Sequence, residues 1–252
     1  MIKYHGTPVG GSKRDAMLFL SGRSGLVSYA YQQHTAEVVN VCSSFCLDNG
    51  AFSIWKSGKG QVDENGYRRW VDSLRSHPAF DFFIIPDVID GTERENNILF
   101  RKWAKVEGGV PVFHLGESVE RFKFLAEHSW KVCLGSTSKW PSIGTEKWWD
   151  LFADLMDAVC VNGTPTVKLH GLRMLNPKVF TKIPLHSGDS SNASVNSGVC
   201  MKKGVHPSLE RWQGSERIAR RIEAYQSAPI WSRENILRDS ADFVICDNGN
   251  EI

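Results

Sequence analysis

Five short hydrophobic runs in this chain end the same way, in a polar residue beside Gly or Pro: SFCLDNGAF, FDFFIIPDVID, PVFHLGES, KVCLGSTS and IPLHSGDSSNASVN. The runs are apolar without alternation, which predicts strands of a parallel sheet buried on both faces. The strands expected are Gly25–Ala30, Phe45–Asp48, Asp81–Pro86, Val110–Leu115, Lys131–Gly135, Thr166–His170 and Pro184–Gly188. An eighth is either Ile2–His5 or Asp242–Cys246. Between them the spacing turns helical. Tyr67, Trp70, Val71 and Leu74 make one face of a helix over Asp63–Ser76, and Trp148, Leu151 and Leu155 do so over Thr145–Cys160. Helices are also expected over Thr35–Ser43 with Thr35 as N-cap, Thr92–Val106, Ser118–His128 with Ser118 as N-cap, and Asn176–Thr181, while Asp15–Leu20 reads as a first helix or a buried turn. Beyond Gly198 the alternation stops. Leu209–Gln226 reads as a helix carrying Arg211, Arg217, Arg220 and Arg221, followed by an irregular tail.

Strand–helix alternation with short apolar strands means a parallel sheet, and about eight such units in a chain of this size predict a (β/α)₈ TIM-like barrel. The chain is expected to be a single domain with a C-terminal helical extension over 197–252. The alternative is an open doubly wound sheet. No GxGxxG or GxxxxGK[ST] opens a helix, which weighs against it.

Composition narrows this only a little. The chain has 252 residues, 41% hydrophobic and 23% charged, a soluble globular balance. A net charge of +2 neither requires nor excludes a nucleic-acid partner, because a local basic patch suffices. Cys42, Cys46, Cys133, Cys160, Cys200 and Cys246 form no CxxC pair, and all six are expected to be buried, reduced thiols of a cytosolic protein. The first residues lack a signal-peptide core, and no apolar run is long enough for a membrane span.

Chemistry in a barrel gathers at the C-terminal ends of the strands. The polar residues expected there are Asp48, Asp87 with Asp90 nearby, His114, Glu117, Ser136, Lys168, His170 and Asp189. Asp189 is read as a nucleophile. Paired carboxylates suit displacement at a sugar anomeric carbon, where one attacks and the other handles the leaving group's proton. Plainer readings stand beside this. Asp48 before Asn49–Gly50 suits a turn, Asp87 and Asp90 suit helix capping, and His114 and His170 suit core histidines bonded to backbone. Lys168 is either an edge residue or a pocket cation. A metal held by His114, Glu117, His170, His186 and Asp189 lacks any compact ligand motif.

In order and spacing the motifs resemble the tRNA-guanine transglycosylase (queuine tRNA-ribosyltransferase) superfamily, most of all its small phage-type DNA-guanine transglycosylases. The resemblance covers about residues 6–196. LDNGAF is similar to the family's DSGGF/Y motif, which implies Asp48 as general acid/base and Phe52 as the aromatic stacking on the purine. IIPDVID puts Asp87 at the base-recognising aspartate. FHLGES puts His114 where the family has Gln. CLGS implies Gly135 and Ser136 in base reading, and KLHGLRM implies His170 and Gly171 on the other face of the base. HSGDSSNA is similar to the DLFDSA-type motif and puts Asp189 on the nucleophile. The family's CxCxxC zinc site is missing, since only Cys200 and His206 follow closely, so the resemblance implies no metal or other cofactor here.

The implied reaction exchanges guanine in DNA for a 7-deazaguanine, such as 7-cyano-7-deazaguanine, through a covalent aspartyl–glycosyl intermediate. Lys168, Arg173, Lys202, Lys203, Arg217 and Arg221 are candidates for phosphate contacts. The target base has to leave the duplex stack. The rival readings are a tRNA enzyme with the same chemistry, a hydrolase using water as acceptor, and a non-catalytic nucleic-acid-binding subunit. A homodimer and a host cytoplasm fit the phage-type reading.

Overall fold

The structure is a computed structural model that describes residues 1–58, 60–136, 140–198 and 210–237. Its main sheet is parallel throughout and closes on itself. The strands are β1 (Ile2–Gly6), β2 (Ser24–Ser28), β3 (Ser44–Asp48), β4 (Phe80–Ile84), β5 (Gly109–Val110), β6 (Val112–His114), β7 (Lys131–Gly135), β10 (Lys168–Gly171) and β11 (Ser187–Ser190), while β8 (Cys160–Val161) and β9 (Thr164–Pro165) form a small separate hairpin. β5 pairs with β4 and β6 pairs with β7. These two are halves of one strand interrupted at Pro111, which has no N–H to give, while its carbonyl accepts from the Cys133 amide at 2.9 Å. The described residues therefore form an eight-stave barrel in the order β1, β2, β3, β4, β5/β6, β7, β10, β11. The open-sheet alternative is excluded by the β1–β11 ladder together with this seam.

The eighth strand is β1; Asp242–Cys246 lies outside the described residues. Between the staves run α1 (Lys13–Leu20), α2 (Thr35–Val39), α3 (Ala51–Lys56), α4 (Glu64–Leu74), α5 (Glu93–Trp103), α6 (Val119–His128), α7 (Glu146–Val159), α8 (Pro177–Phe180) and α9 (Asn192–Val195). Capping chemistry sets their starts. Ser12 and Asp15 make a reciprocal cap on α1, Thr92 and Glu95 do the same on α5, and the Ser118 hydroxyl accepts from the Arg121 amide on α6. Thr35 is not the cap expected of it. A 3-10 turn over Tyr29–His34 precedes α2, and the Thr35 hydroxyl donates back to Gln32 O at 2.6 Å. Asp90 does not cap α5; it accepts from the Trp55 indole at 2.9 Å.

Apolar side chains form two bodies. The larger lies between staves and helices and includes Phe45, Phe83, Phe113, Trp148 and Phe152. The smaller fills the barrel with Tyr4, Leu26, Cys46, Phe82, Ile84, Val110, Val112 and Cys133. Inside, the floor is polar. The register of β3 on β4 slips so that Asp81 is an extra residue, and its carboxylate accepts from the Tyr4 hydroxyl. The fully buried Lys131 sits 3.7 Å from the same oxygen and 4.0 Å from the centre of the Phe82 ring. Burial lowers the Lys131 pKa against the pull of Asp81.

The basic helix is α10 (Arg211–Glu223), followed by α11 (Glu234–Leu237). It packs on α1 and α9, and its last turn is tied to the barrel by Glu223, which accepts from His5 at 2.9 Å and Arg23 at 3.0 Å. Those bonds, with burial opposing them, hold the Glu223 carboxyl down to about 2. Among the described residues no helix is long and apolar enough to cross a membrane.

Candidate active site

Three carboxylates converge on the C-terminal mouth of the barrel: Asp48 at the end of β3, Asp87 in the loop after β4, and Asp189 in β11. Burial, with the nearby charges of Asp189 and Asp87, pushes the Asp48 carboxyl up to about 6, against the opposing effects of Ser28 and the Gly50 amide. The turn that presents Asp48 depends on glycine. Gly50 has φ +78°, its amide donates to Asp48 Oδ2 at 3.1 Å, and an added Cβ would lie 2.8 Å from the Ala30 nitrogen. Gly50→Ala should cost about 2 kcal/mol or more through backbone strain and that clash. A urea melt within 0.5 kcal/mol of the parent would show that the turn does not need the left-handed conformation.

Asp87 is held from two sides. Asn49 Nδ2 donates to Oδ1 at 2.7 Å and to the Ile85 carbonyl at 2.9 Å, while His114 Nε2 lies 2.7 Å from Oδ2. Behind His114 stands Glu117, which accepts from the His114 amide at 2.8 Å, from Asn96 at 3.2 Å and from the Arg121 guanidinium. Burial disfavours the His114 imidazolium, but hydrogen bonds to Asp87 and Glu117 overcome this and lift its pKa to about 9. A cation is therefore enclosed between two carboxylates, with Arg121 as a second cation beyond them.

Asp189 is 7% exposed, and its Oδ1 accepts from His170 Nε2 at 3.2 Å and from the Arg173 amide at 3.2 Å. His170 Nδ1 meets the Ser187 hydroxyl at 2.9 Å, so Ser187 and Asp189, two apart on one strand, hold the same ring. The ring also sits edge-on to Phe82. The strand expected over Pro184–Gly188 is in fact Ser187–Ser190, and Asp189 lies within it rather than beyond it. Ile183 and Leu185 are core residues of the approach to the strand. The small polar run SGDS itself pairs with β1 and β10, and Gly188 passes close to Gly171, where a Cβ would meet the Gly171 carbonyl at 3.2 Å.

Other expectations need correction. His114 and His170 do not line the open mouth: they are 6% and 0% exposed, and both nitrogens of each are engaged, so they brace Asp87 and Asp189 from behind. Lys168 opens β10, pairing with Lys131, and so lies at the opposite end of the barrel, 5.8 Å from the Trp130 ring. Arg217 lies midway along α10 and Arg221 in its last turn, on the flank of the barrel, where the helix end meets Arg23. His186 precedes β11 and stays apart from the pairs His114–Glu117 and His170–Asp189. Cys42, Cys46 and Cys133 are buried and Cys160 half-buried; burial pushes all four thiols up and leaves them poor nucleophiles. Cys200, Lys202, Lys203, His206 and Cys246 lie outside the described residues.

Gly135 and Gly171 end β7 and β10 at the mouth, and Ser136 follows half-buried. Phe52 lies on α3 at the rim, and the Arg173 guanidinium covers its ring at 4.4 Å. Asn49, Asn96, Arg121 and Ser187 hold the carboxylates and histidines in place, and the pattern of strand ends does not point to them. Asn96 had a signal: it falls in the stripe Asn96, Phe100, Trp103 that α5 buries, where a polar side chain needs a partner.

No protein-family model matches the chain, and no curated protein matches it. Solved structures do. The "putative fructose-1,6-biphosphate aldolase" of Coccidioides immitis superposes with a TM-score of 0.57 over 89% of this chain and 91% of its own, at 14% identity. A mutant tryptophan synthase alpha-subunit of Pyrococcus furiosus gives 0.50 over 88% and 95%, also at 14% identity. At such identity the likeness concerns architecture alone, and by architecture the chain is a (β/α)₈ TIM-type barrel.

Proposed function

We propose that the chain is an enzyme, a guanine transglycosylase that exchanges guanine in DNA for a 7-deazaguanine. The observation that supports this reading is the mouth itself. Asp189 is a buried carboxylate oriented by a histidine and a backbone amide, and it shares the mouth with Asp48, whose pKa is raised to about 6, and with Asp87. Two carboxylates in different environments suit two roles. Asp189 attacks C1′ of the flipped nucleotide, and the bond from C1′ to the guanine nitrogen breaks. Protonated Asp48 supplies the proton that lets guanine leave as a neutral base. The incoming 7-deazaguanine then returns a proton to Asp48 and displaces Asp189, regenerating both groups.

Asp87 faces the N1–H and 2-amino edge that guanine and its 7-deaza analogues share. Each of its oxygens already accepts one hydrogen bond and has a lone pair left for the base. A carboxylate fixed in this way selects against adenine, which would leave it without its donors.

The test is incorporation of labelled guanine, and of labelled 7-cyano-7-deazaguanine, into duplex DNA and tRNA in parallel. Label in DNA is the expected result. Label only in tRNA would assign the same residues to the RNA branch, and release of free guanine without incorporation would make the protein a hydrolase. The pH dependence provides a second check. Since Asp48 has to be protonated when guanine leaves, guanine release should fall about tenfold per pH unit above about 6. A profile flat from pH 5 to 8 would remove Asp48 from the acid role.

A further inference from the structure

Phe52 and Arg173 come from opposite sides of the barrel. Phe52 follows β3 and Arg173 follows β10, and these staves lie four steps apart whichever way the ring is counted. Their contact at 4.4 Å therefore spans the mouth that holds Asp48 and Asp189. Arg173 is built into this position. Its backbone has φ +59°, uncommon for a residue other than glycine, and its amide is tied to Asp189 Oδ1. Its side chain is exposed, and among the described residues no carboxylate pairs with the guanidinium. Phe52 is half-buried, with Trp55 at 5.7 Å.

A cation over a partly exposed ring is a weak contact, weaker than a nucleobase stacked on the same ring. A guanidinium lacking an anionic partner is, in turn, well matched to a phosphate. We propose that Arg173 and Phe52 form a latch across the mouth that a nucleotide opens by exchange: its base replaces the guanidinium on Phe52, and its phosphate receives the guanidinium so released. The inference rests on the nucleic-acid reading above, and it adds a requirement. A free base has to displace Arg173 with nothing to offer in return, whereas a base attached to a phosphate compensates for the displacement.

Arg173→Ala should therefore act in opposite directions on two ligands. We would titrate the parent and the variant calorimetrically with guanine, with a single-stranded pentanucleotide containing one guanine, and with oligothymidylate of the same length. The variant should bind both oligonucleotides about tenfold more weakly, with a salt slope smaller by about 0.7. It should bind guanine about two- to fivefold more tightly. Arg173→Lys, which keeps the charge but not the planar stack, should retain most of the oligonucleotide affinity. Oligonucleotide affinities unchanged in the alanine variant, guanine bound more weakly by it, or no oligonucleotide binding by the parent would each overturn the latch. Oligothymidylate carries no guanine, so its dependence on Arg173 is read independently of base exchange. A latch found in a protein that incorporates no label would leave the latch standing and remove the transglycosylase reading.

Discussion

Replacing Asp189 by Asn is expected to lower base exchange by roughly a thousandfold or more with little change in stability. The two bonds that position this side chain both end on Oδ1, from His170 and from the Arg173 amide, and an asparagine oxygen accepts both. What the variant loses is the negative charge that would form the bond to C1′. Nucleic-acid binding should be unchanged or tighter, because one carboxylate no longer faces a phosphate chain. The measurement is single-turnover incorporation of labelled guanine, with a thermal melt and a binding titration on the same preparation. Exchange at the parent rate would remove Asp189 from the role of nucleophile. Exchange lost together with a lowered melting temperature would point instead to a structural role for the His170–Asp189 pair.

The second large effect is expected away from the reacting atoms. Glu117→Ala should destabilise the protein by about 3–5 kcal/mol, because it removes the carboxylate between two buried cations. The Arg121 side chain is 3% exposed and, among the described residues, would keep the Val112 carbonyl and Asn97 as hydrogen-bond partners. His114 would lose support for its amide as well as its ring. The pH dependence has a definite sign. The folded-state pKa of His114, about 9, lies above the ordinary histidine value of about 6.5. Its contribution to stability is therefore fully present below pH about 6.5 and is lost as pH rises through 9. In the alanine variant that decline should be shallower, since one of the two groups raising the pKa is gone. Urea midpoints at pH 6 and pH 9 for both proteins measure both quantities. A loss below 1 kcal/mol would show that water replaces the carboxylate and that the network is less closed than its burial indicates.

The barrel was legible because its staves are written as unbroken apolar runs, and so were the mouth positions of Asp48 and Asp87, which follow directly where such runs stop. Asp189 reaches the mouth for a different reason than the hydrophobic pattern suggests. Hydrophobicity marks Ile183 and Leu185, but these pack outside the barrel wall, and the stave is the polar SGDS behind them, stabilised by partners on both sides that no local pattern reveals. The same cause displaced the histidines. Sequence places His114 and His170 near the carboxylates, but only the packing shows that both rings are fully engaged behind them. A strand begun at Thr166, two residues early, moves Lys168 toward the wrong end of the barrel.

The seam at Pro111 divides the molecule in a way that matters for the mouth. One arc runs from β1 to β5 and carries Asp48 and Asp87, and the other runs from β6 to β11 and carries His114, His170 and Asp189; across the seam the Asp87–His114 and Asn96–Glu117 bonds join them. The arcs meet edge to edge along β1 and β11, where Tyr4 is paired with Asp189. The candidate nucleophile thus sits on the strand where the two arcs pair, with Asp48, Asp87 and Phe52 on the first arc and Gly135 and Gly171 on the second. Arg173 reaching over to Phe52 adds a second tie between the rims beside the Asp87–His114 bond, so whatever frees Arg173 leaves that buried bond as the tie that still joins the arcs at the mouth.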